Sequence, residues 1–413
     1  MCISNMSFRE TVMKVSREEA KEIIFENVKP IKNIETVTLE KAEGRVLSED
    51  VFSPIDVPDV NKSAIDGYAF RSSSLKKTPA KLKIVGETAA GDTERKRVGE
   101  GEAVFVMTGG EIPEGADSAV RVEDVEVKGK FVKIDFPVEK GNLVNFRGEE
   151  FKKGEVVLER GEKICGLKVA LLAYLGVYSL KVYSKPRIGV LVTGNEILEP
   201  WESFKRGNAY NSNLYIVEEF LKRAGAVTYI GRVRDDREEL KKAIEEGIDR
   251  LDVLITTGGV SKGKYDFVKE VVSQVGIDVK FTQTNIRPGR PLVFGTKGEK
   301  LFFGLPGYPS ATVVNLLEFV LPAVKKLSGS RDWENRYLKA FADEPLRSKK
   351  GRNDFIRVKF LNDNGVLKVK SSGSQQTSVF KSVVFSDGFA VVPEDRGSVE
   401  RGDLIDILIF MEV

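Results

Sequence analysis

Histidine is absent from all 413 residues. That excludes Ser-His-Asp and Cys-His catalysis, His-ligated zinc and an imidazole general base. Acid–base chemistry is left to carboxylates, Lys, Tyr or metal-bound water. Cysteine occurs twice, as Cys2 and Cys165, too few for a Cys-rich zinc site or a disulfide framework. Cys165 sits in an apolar stretch and reads as a small buried hydrophobe. Met1 to Glu10 lacks an apolar signal core, and Ile164 to Val182 is broken by Lys168 and Lys181. A cytoplasmic protein is expected. Only four Gln accompany abundant Lys and Glu, which leans toward a thermophilic source. Charge of one sign is also lacking: 65 Lys+Arg against 62 Asp+Glu leaves +3, no signature of a nucleic-acid partner. Charged residues at 31% and the hydrophobic set at 41% describe a cored, soluble chain.

What is present changes character along the chain. Ser16 and Glu19 form a capping-box pattern ahead of a helix running to about Pro30, with Ala20, Ile23 and Ile24 on one face. A β-like stretch follows around Thr36 to Leu39. Residues 54–144 carry short β-rich runs, including a turn at Lys128-Gly129, and Ile164 to Leu175 returns to a helical pattern ending at Gly176. A helix on each side suggests that the β unit is inserted. After Pro186, apolar runs alternate with amphipathic ones. Ile188–Val192, Val227–Ile230, Val253–Thr257, Val279–Thr282, Leu292–Phe294 and Leu301–Phe303 read as strands. Helices are expected at Leu214–Ala224, after the caps Asp236 and Asp266, and after Ser310. That alternation predicts a three-layer α/β domain with a mainly parallel sheet. The last 85 or so residues are β again, with hairpin signals at Asn364-Gly365 and Asp387-Gly388 and a strand at Val383–Phe385, as in a small barrel or sandwich.

Ligands of such a sheet bind beyond the carboxyl ends of its strands. The segments there are Thr193-Gly194-Asn195-Glu196, Asp235-Asp236, Gly258-Gly259-Val260-Ser261 with Asp266, and Pro306-Gly307-Tyr308-Pro309-Ser310. Glycines allow close backbone approach to an anion, and Glu196, Asp235, Asp236 and Asp266 offer hard oxygen ligands suited to Mg²⁺. Arg287 and Arg290 flank Pro288-Gly289 and suit phosphate or oxyanion contact. These loops point to a phosphorylated small molecule. The alternative is ordinary turn, cap and surface chemistry, with Asp236 in D-x-x-E reading foremost as a helix cap. Neither G-x-G-x-x-G after a strand nor a P-loop occurs. Two further dense segments, around Ser63-Ala64-Ile65-Asp66-Gly67-Tyr68 and Met107-Thr108-Gly109-Gly110, read as turns or as a cleft lined by Asp66 and Thr108.

The segments S-A-I-D-G-Y-A, M-T-G-G-E-I-P-E-G-A-D, L-V-T-G-N-E, T-T-G-G-V-S-K-G-K-Y-D, R-P-G-R-P-L and L-P-G-Y-P-S-A follow one another in that order. In this the chain resembles the molybdopterin molybdenumtransferase family, MoeA and the E domain of gephyrin, over essentially its whole length. The resemblance implies a multi-domain α+β architecture. A discontinuous helical domain would span 1–53 and 145–185, an inserted β domain 54–144, the α/β domain 186–328 and a C-terminal β-barrel domain 329–413. It further implies a homodimer whose active cleft is shared between subunits. The substrates would be adenylylated molybdopterin, possessed of an AMP leaving group, and molybdate or tungstate, with Mg²⁺ assisting. Asp66, Thr108, Glu196, Asp235, Asp266, Pro306 and Pro309 fall at positions the family treats as functional.

On that basis Glu196 and Asp266 are expected to hold Mg²⁺ with Asp235 in support, and Asp66 to act from the partner subunit. Thr193, Gly258, Gly259, Ser261 and Ser310 would hold phosphate or nucleotide, and Arg287 and Arg290 terminal phosphate or oxyanion. The sequence departs from the family pattern in three places. Asn195 stands where Asp is usual, Tyr308 lies in a turn one residue shorter than L-P-G-N-P-V-S-A, and Arg287 replaces a common Lys. Two other functions fit parts of this pattern: a molybdopterin adenylyltransferase built on the same α/β module, and a non-enzymatic scaffold binding peptide partners.

Overall fold

The computed structural model describes residues 13–92, 94–260 and 267–410. Its central sheet has seven strands in the order Lys14–Val15, Asp278–Thr284, Pro291–Lys297, Lys300–Leu305, Val253–Thr257, Arg187–Thr193 and Ala226–Val233. Pairing is parallel except on the two sides of Pro291–Lys297. Arg187–Thr193 and Val253–Thr257 are buried almost throughout, which is why both read as unbroken apolar runs. One face is covered by Asn213–Leu221 and the helical run from Pro309 to Leu327, through Leu214, Val217, Val314 and Phe319. The other is covered by Arg237–Arg250 and Val268–Gln274, through Leu240, Ile244 and Val271. Fully buried side chains such as Phe303 contribute roughly 1.5–3 kcal/mol each.

Ser16 caps the helix Arg17–Glu26, and the reciprocal bond from its own N–H to Glu19 completes the capping box. This helix does not stay with the linker residues around it. Its apolar face, Ala20 and Ile24, enters the core of the α/β sheet, and Lys14–Val15 adds an edge strand to that sheet. Burial of that face, rather than chain proximity, decides its place.

The segments on either side of the insertion pair with each other. Ile34–Thr38 runs antiparallel to Ser179–Tyr183, and Val51–Phe52 to Val156–Leu158. They enclose Leu47, Ile164, Leu172 and Val182, with the helix Leu167–Tyr174 ending at Gly176 (φ +73°). Between them a six-stranded sheet is built around Gly67–Phe70, Glu102–Val106 and Ala80–Thr88.

The C-terminal strands close on themselves. Asn353–Asp363 pairs with Val366–Ser371, that with Tyr337–Ala342, then Leu404–Ile409, then Gly388–Val392, which pairs back to Asn353–Asp363. The result is a five-stranded barrel. Asn364 and Gly365 have φ of 51° and 86°, as a two-residue type I′ hairpin turn requires. The strand expected at Val383–Phe385 is instead a helical turn, Lys381–Val384, closed where Ser386 Oγ donates to the Val383 carbonyl at 2.7 Å. No described helix is long and apolar enough to cross a membrane.

Candidate active site at the carboxyl edge of the parallel strands

Neighbouring strand ends lie side by side at one edge of the sheet. Val192 is in register with Thr257, Thr257 with Leu305, and Thr193 with Val233. The following segments therefore share one rim, where a cavity of about 870 Å³ opens. Its wall includes Thr193, Glu196, Asp235, Gly258 and Gly259. Arg287, Arg290, Pro306 and Pro309 line it as well.

The glycines act through backbone proximity. Gly258 has φ +93°, and a methyl group there would stand 2.7 Å from the Thr193 carbonyl oxygen. Its N–H donates to the Leu305 carbonyl at 2.9 Å, so that donor is not available to an anion. Thr193 Oγ1 likewise donates to the Thr257 carbonyl at 3.3 Å. Both residues shape the rim rather than point donors into it.

The turn at Pro306 is tied down from two sides. Thr312 Oγ1 donates to the Pro306 carbonyl at 2.7 Å, and Asn213 Nδ2 to the Gly307 carbonyl at 2.9 Å. Pro309 takes the first helical position, where its missing N–H costs nothing. That displaces the expected cap. Ser310 is the second helical residue, wholly buried, with Oγ 3.4 Å from the Val379 carbonyl, and it is not on the cavity wall.

The four expected carboxylates separate into different roles. Asp236 accepts from the N–H groups of Glu238 and Glu239 at 3.1 and 2.9 Å, so it is the cap of Arg237–Arg250. Glu196 and Asp235 share the cavity. Asp235 is oriented reciprocally by Asn195: each backbone N–H donates to the other's side chain at 3.3 Å. Asp266 and Ser261 lie outside the described residues. Among the described residues no group of three or more acidic or cysteine ligands gathers. Two carboxylates on a phosphate-sized cavity do fit Mg²⁺, which keeps several waters and takes one or two carboxylates plus substrate phosphates.

The cationic side of the cavity has a part that the sequence did not reveal. Arg287 and Arg290 are exposed on the wall, and Arg352 and Thr377 reach it from the barrel. Behind them Arg357 is wholly buried, and its Nε and Nη2 have no hydrogen-bond partner. Its Nη1 stands 3.4 Å from Gln375 Oε1. Burial, and then the charge of Arg287, pull this guanidinium down to about 10. Two guanidiniums therefore lie in each other's field, and the buried one keeps unmet donors. The available signal was Arg357 itself, set between the apolar residues Phe355, Ile356 and Val358 of a strand-like run. Lys14, Asn211 and Asn213 also line the cavity without a motif to mark them.

Asp66 and Thr108 come together elsewhere. The Thr108 N–H and Oγ1 both donate to Asp66 Oδ1, at 2.6 and 3.0 Å. Those bonds, the backbone one first, hold the Asp66 carboxyl below the usual carboxylate range. Gly67 is required beside it, because a methyl there would overlap the Val120 carbonyl at 1.8 Å. Neither Asp66 nor Thr108 lies on the wall of the large cavity; Thr108 borders another, of about 630 Å³, with Lys62 and Glu149.

Comparison with known proteins covers nearly the whole chain. Residues 15–176 match the family model described as the MoeA N-terminal region, domains I and II. Residues 189–326 match a probable molybdopterin binding domain, and 339–410 the MoeA C-terminal region, domain IV. The molybdopterin molybdenumtransferase of Haemophilus influenzae is 35% identical over 378 residues, 90% of this chain and 93% of that protein. The Staphylococcus aureus protein of the same name is 31% identical over 91% of this chain and 90% of its own length. The solved structure of the molybdopterin biosynthesis MoeA protein from Pyrococcus horikoshii OT3 superposes with a TM-score of 0.84 at 30% identity, covering 96% of this chain and all of that one.

Proposed function

The chain belongs to the molybdopterin molybdenumtransferase family, and on that premise we propose that it inserts molybdenum from molybdate into adenylylated molybdopterin, releasing AMP. A transferase of molybdenum cofactor biosynthesis is what its relatives' names support. The observation that carries the finer reading is the division of the 870 Å³ cavity into an acidic wall, Glu196 and Asp235, and a cationic wall, Arg287 and Arg290 backed by Arg357. A nucleotide leaving group and a metal oxyanion ask for those two environments side by side.

Glu196 and Asp235 would hold Mg²⁺ against the substrate phosphates, with Asp266 the further candidate; bound there, the ion neutralises charge on the departing phosphate. The rim at Gly258 and Gly307 lets the substrate approach the backbone closely. Arg287 and Arg290 take the oxyanion, which arrives as a dianion. The dithiolene sulfurs that receive the metal belong to the substrate, so a chain without histidine lacks nothing for this reaction. Tungstate has the same charge and nearly the same size, and the same guanidiniums accept it.

Asp66 and Thr108 are proposed to serve the cavity of a second subunit in a homodimer, because neither lies on the wall of the large cavity of its own chain. The adenylylated substrate would come from a molybdopterin adenylyltransferase. The test is AMP release from adenylylated molybdopterin with Mg²⁺, without oxyanion and with molybdate or tungstate. Oxyanion-stimulated release is expected, and the better oxyanion names the metal. A folded protein that binds the nucleotide yet releases no AMP with either oxyanion would overturn the reading in favour of a scaffold. ATP consumption without oxyanion would instead favour an adenylyltransferase. Mixing Asp66→Asn with Asp235→Asn chains should restore part of the activity that each lacks alone, if the cleft is shared.

A further inference from the structure

The loop that carries the two cavity arginines has a buried middle. Arg287 and Arg290 are exposed on the cavity wall, whereas Pro288 and Gly289 between them are buried. Gly289 lies against the side chain of Asn315, at the end of the helix Pro309–Asn315. A methyl group on Gly289 would stand 2.8 Å from Asn315 Oδ1, and its φ of +112° also favours glycine. Asn315 Nδ2 donates to the Pro291 carbonyl at 3.1 Å. One amide therefore meets the residues on both sides of Arg290. Asn315 is wholly buried, and its Oδ1 has no hydrogen-bond partner among the described residues. Every residue from Ser310 to Asn315 is buried. An amide with an unmet acceptor in that setting lowers stability, and a leucine of nearly the same shape would not. The core alone does not call for asparagine here.

We propose that Asn315 is a positioning residue for oxyanion binding, which fixes Arg290, and with it Arg287, by holding the backbone between and beyond them. Backbone pairing secures the ends of the loop: the Thr284 N–H donates to the Arg290 carbonyl at 2.9 Å, and Ile286–Arg287 pairs with Asn353–Asp354 of the barrel. Asn315 braces the middle from inside. Exposed arginine side chains follow any shift of their backbone, so losing the brace loosens the cationic wall and leaves the sheet intact. Guanidiniums held in place before a dianion arrives lose less freedom when it binds, which is how the brace raises affinity. The inference rests on the oxyanion reading of Arg287 and Arg290, and it concerns oxyanion affinity rather than the chemical step.

The test combines calorimetric titration of the full-length chain with molybdate and deuterium uptake of its backbone amides. Asn315→Leu should weaken molybdate binding about three- to tenfold, the worth of one neutral hydrogen bond. It should speed exchange in 284–291 and leave the strands Val253–Thr257 and Lys300–Leu305 unchanged. In AMP release the same factor should appear in the KM for molybdate, with turnover at saturating molybdate and the KM for adenylylated molybdopterin within about twofold of the parent. In an Arg290→Ala chain, Asn315→Leu should add less than about twofold, because its effect runs through Arg290. Asn315→Ser, too short to reach the Pro291 carbonyl, should behave as the leucine variant does, and it carries the test if that variant does not fold. Unchanged molybdate binding or unchanged exchange in 284–291 overturns the inference. So does a full further loss in the Arg290→Ala chain, which would mark a general structural effect. A parent that binds molybdate in this Asn315-dependent way yet releases no AMP would overturn the proposed function and leave the positioning role standing. A parent that binds no molybdate would overturn both.

Discussion

Arg287 and Asp354 are register partners in a two-residue parallel pairing, Ile286–Arg287 against Asn353–Asp354, which joins the α/β unit to the barrel. The Asn353 N–H extends it by donating to the Asn285 carbonyl at 3.0 Å. This short ladder sets the register between the loop that carries Arg287 and Arg290 and the strand that carries Arg357. It brings Arg352 and Thr377 to the cavity as well. The cationic wall is therefore a product of two units, and neither builds it alone.

Arg290→Ala should raise the KM for molybdate in oxyanion-dependent AMP release by roughly 10–100-fold. A charge-assisted hydrogen bond is worth about 1.5–3 kcal/mol, and each 1.4 kcal/mol is tenfold. Turnover at saturating molybdate should change less. An unchanged KM would place the oxyanion elsewhere.

Arg357→Met should separate stability from function. A wholly buried guanidinium with two unpartnered nitrogens is costly, and replacing such charges with apolar groups stabilises by about 1–4 kcal/mol in favourable cases. Urea denaturation should show a stabilised variant whose molybdate affinity is weakened. A destabilised variant would mean that Arg357 has a structural task.

Glu318→Gln should destabilise the fold by about 3–5 kcal/mol. Glu318 is wholly buried in a π-helical turn, with Arg17 Nε at 2.7 Å, Lys21 Nζ at 2.6 Å and Tyr337 OH at 3.0 Å. The neutral amide leaves the half-buried Arg17 and Lys21 without the buried carboxylate that faces both. Adding Arg17→Met and Lys21→Met should recover part of the loss in equilibrium denaturation, since the charges then leave together.

Thr108→Val should move the Asp66 carboxyl titration upward toward the ordinary range, followed by carboxyl-carbon NMR. The backbone N–H remains and the hydroxyl bond is lost. The sign follows from a folded-state value below the unfolded one. The bonds stabilise the fold above the ordinary carboxylate range and cease to do so as pH falls through the depressed value. The variant should therefore show less of this loss in acid. No movement would assign the shift to the backbone N–H alone.

Local chemistry made much of this legible beforehand. The capping box at Ser16, the type I′ turn at Asn364-Gly365 and the cap at Asp236 depend on neighbours within a few residues, and each forms as read. The buried strands announced themselves because both faces of a covered parallel sheet must be apolar. Ser310 was misread because Pro309 fits the first helical position better than a serine cap extends the turn. The segment at 381–384 was misread because three apolar residues in a row suit a strand or a turn equally until their hydroxyl neighbours choose.

By itself the sequence determined which chemistry is open to this protein: no histidine, too few thiols, and carboxylates and arginines placed after strand ends. Pattern and spacing also determined the layered α/β unit and the β units around it, because periodicity is a local property. Only the tertiary structure decided which of those groups meet. It spent the Gly258 and Thr193 donors on backbone, kept Asp66 and Thr108 off the wall of the large cavity, and set Arg357 near Arg287 across a junction between units. The physical reason is that such contacts join residues far apart in the chain, through hydrogen bonds and burial that no short window of residues contains.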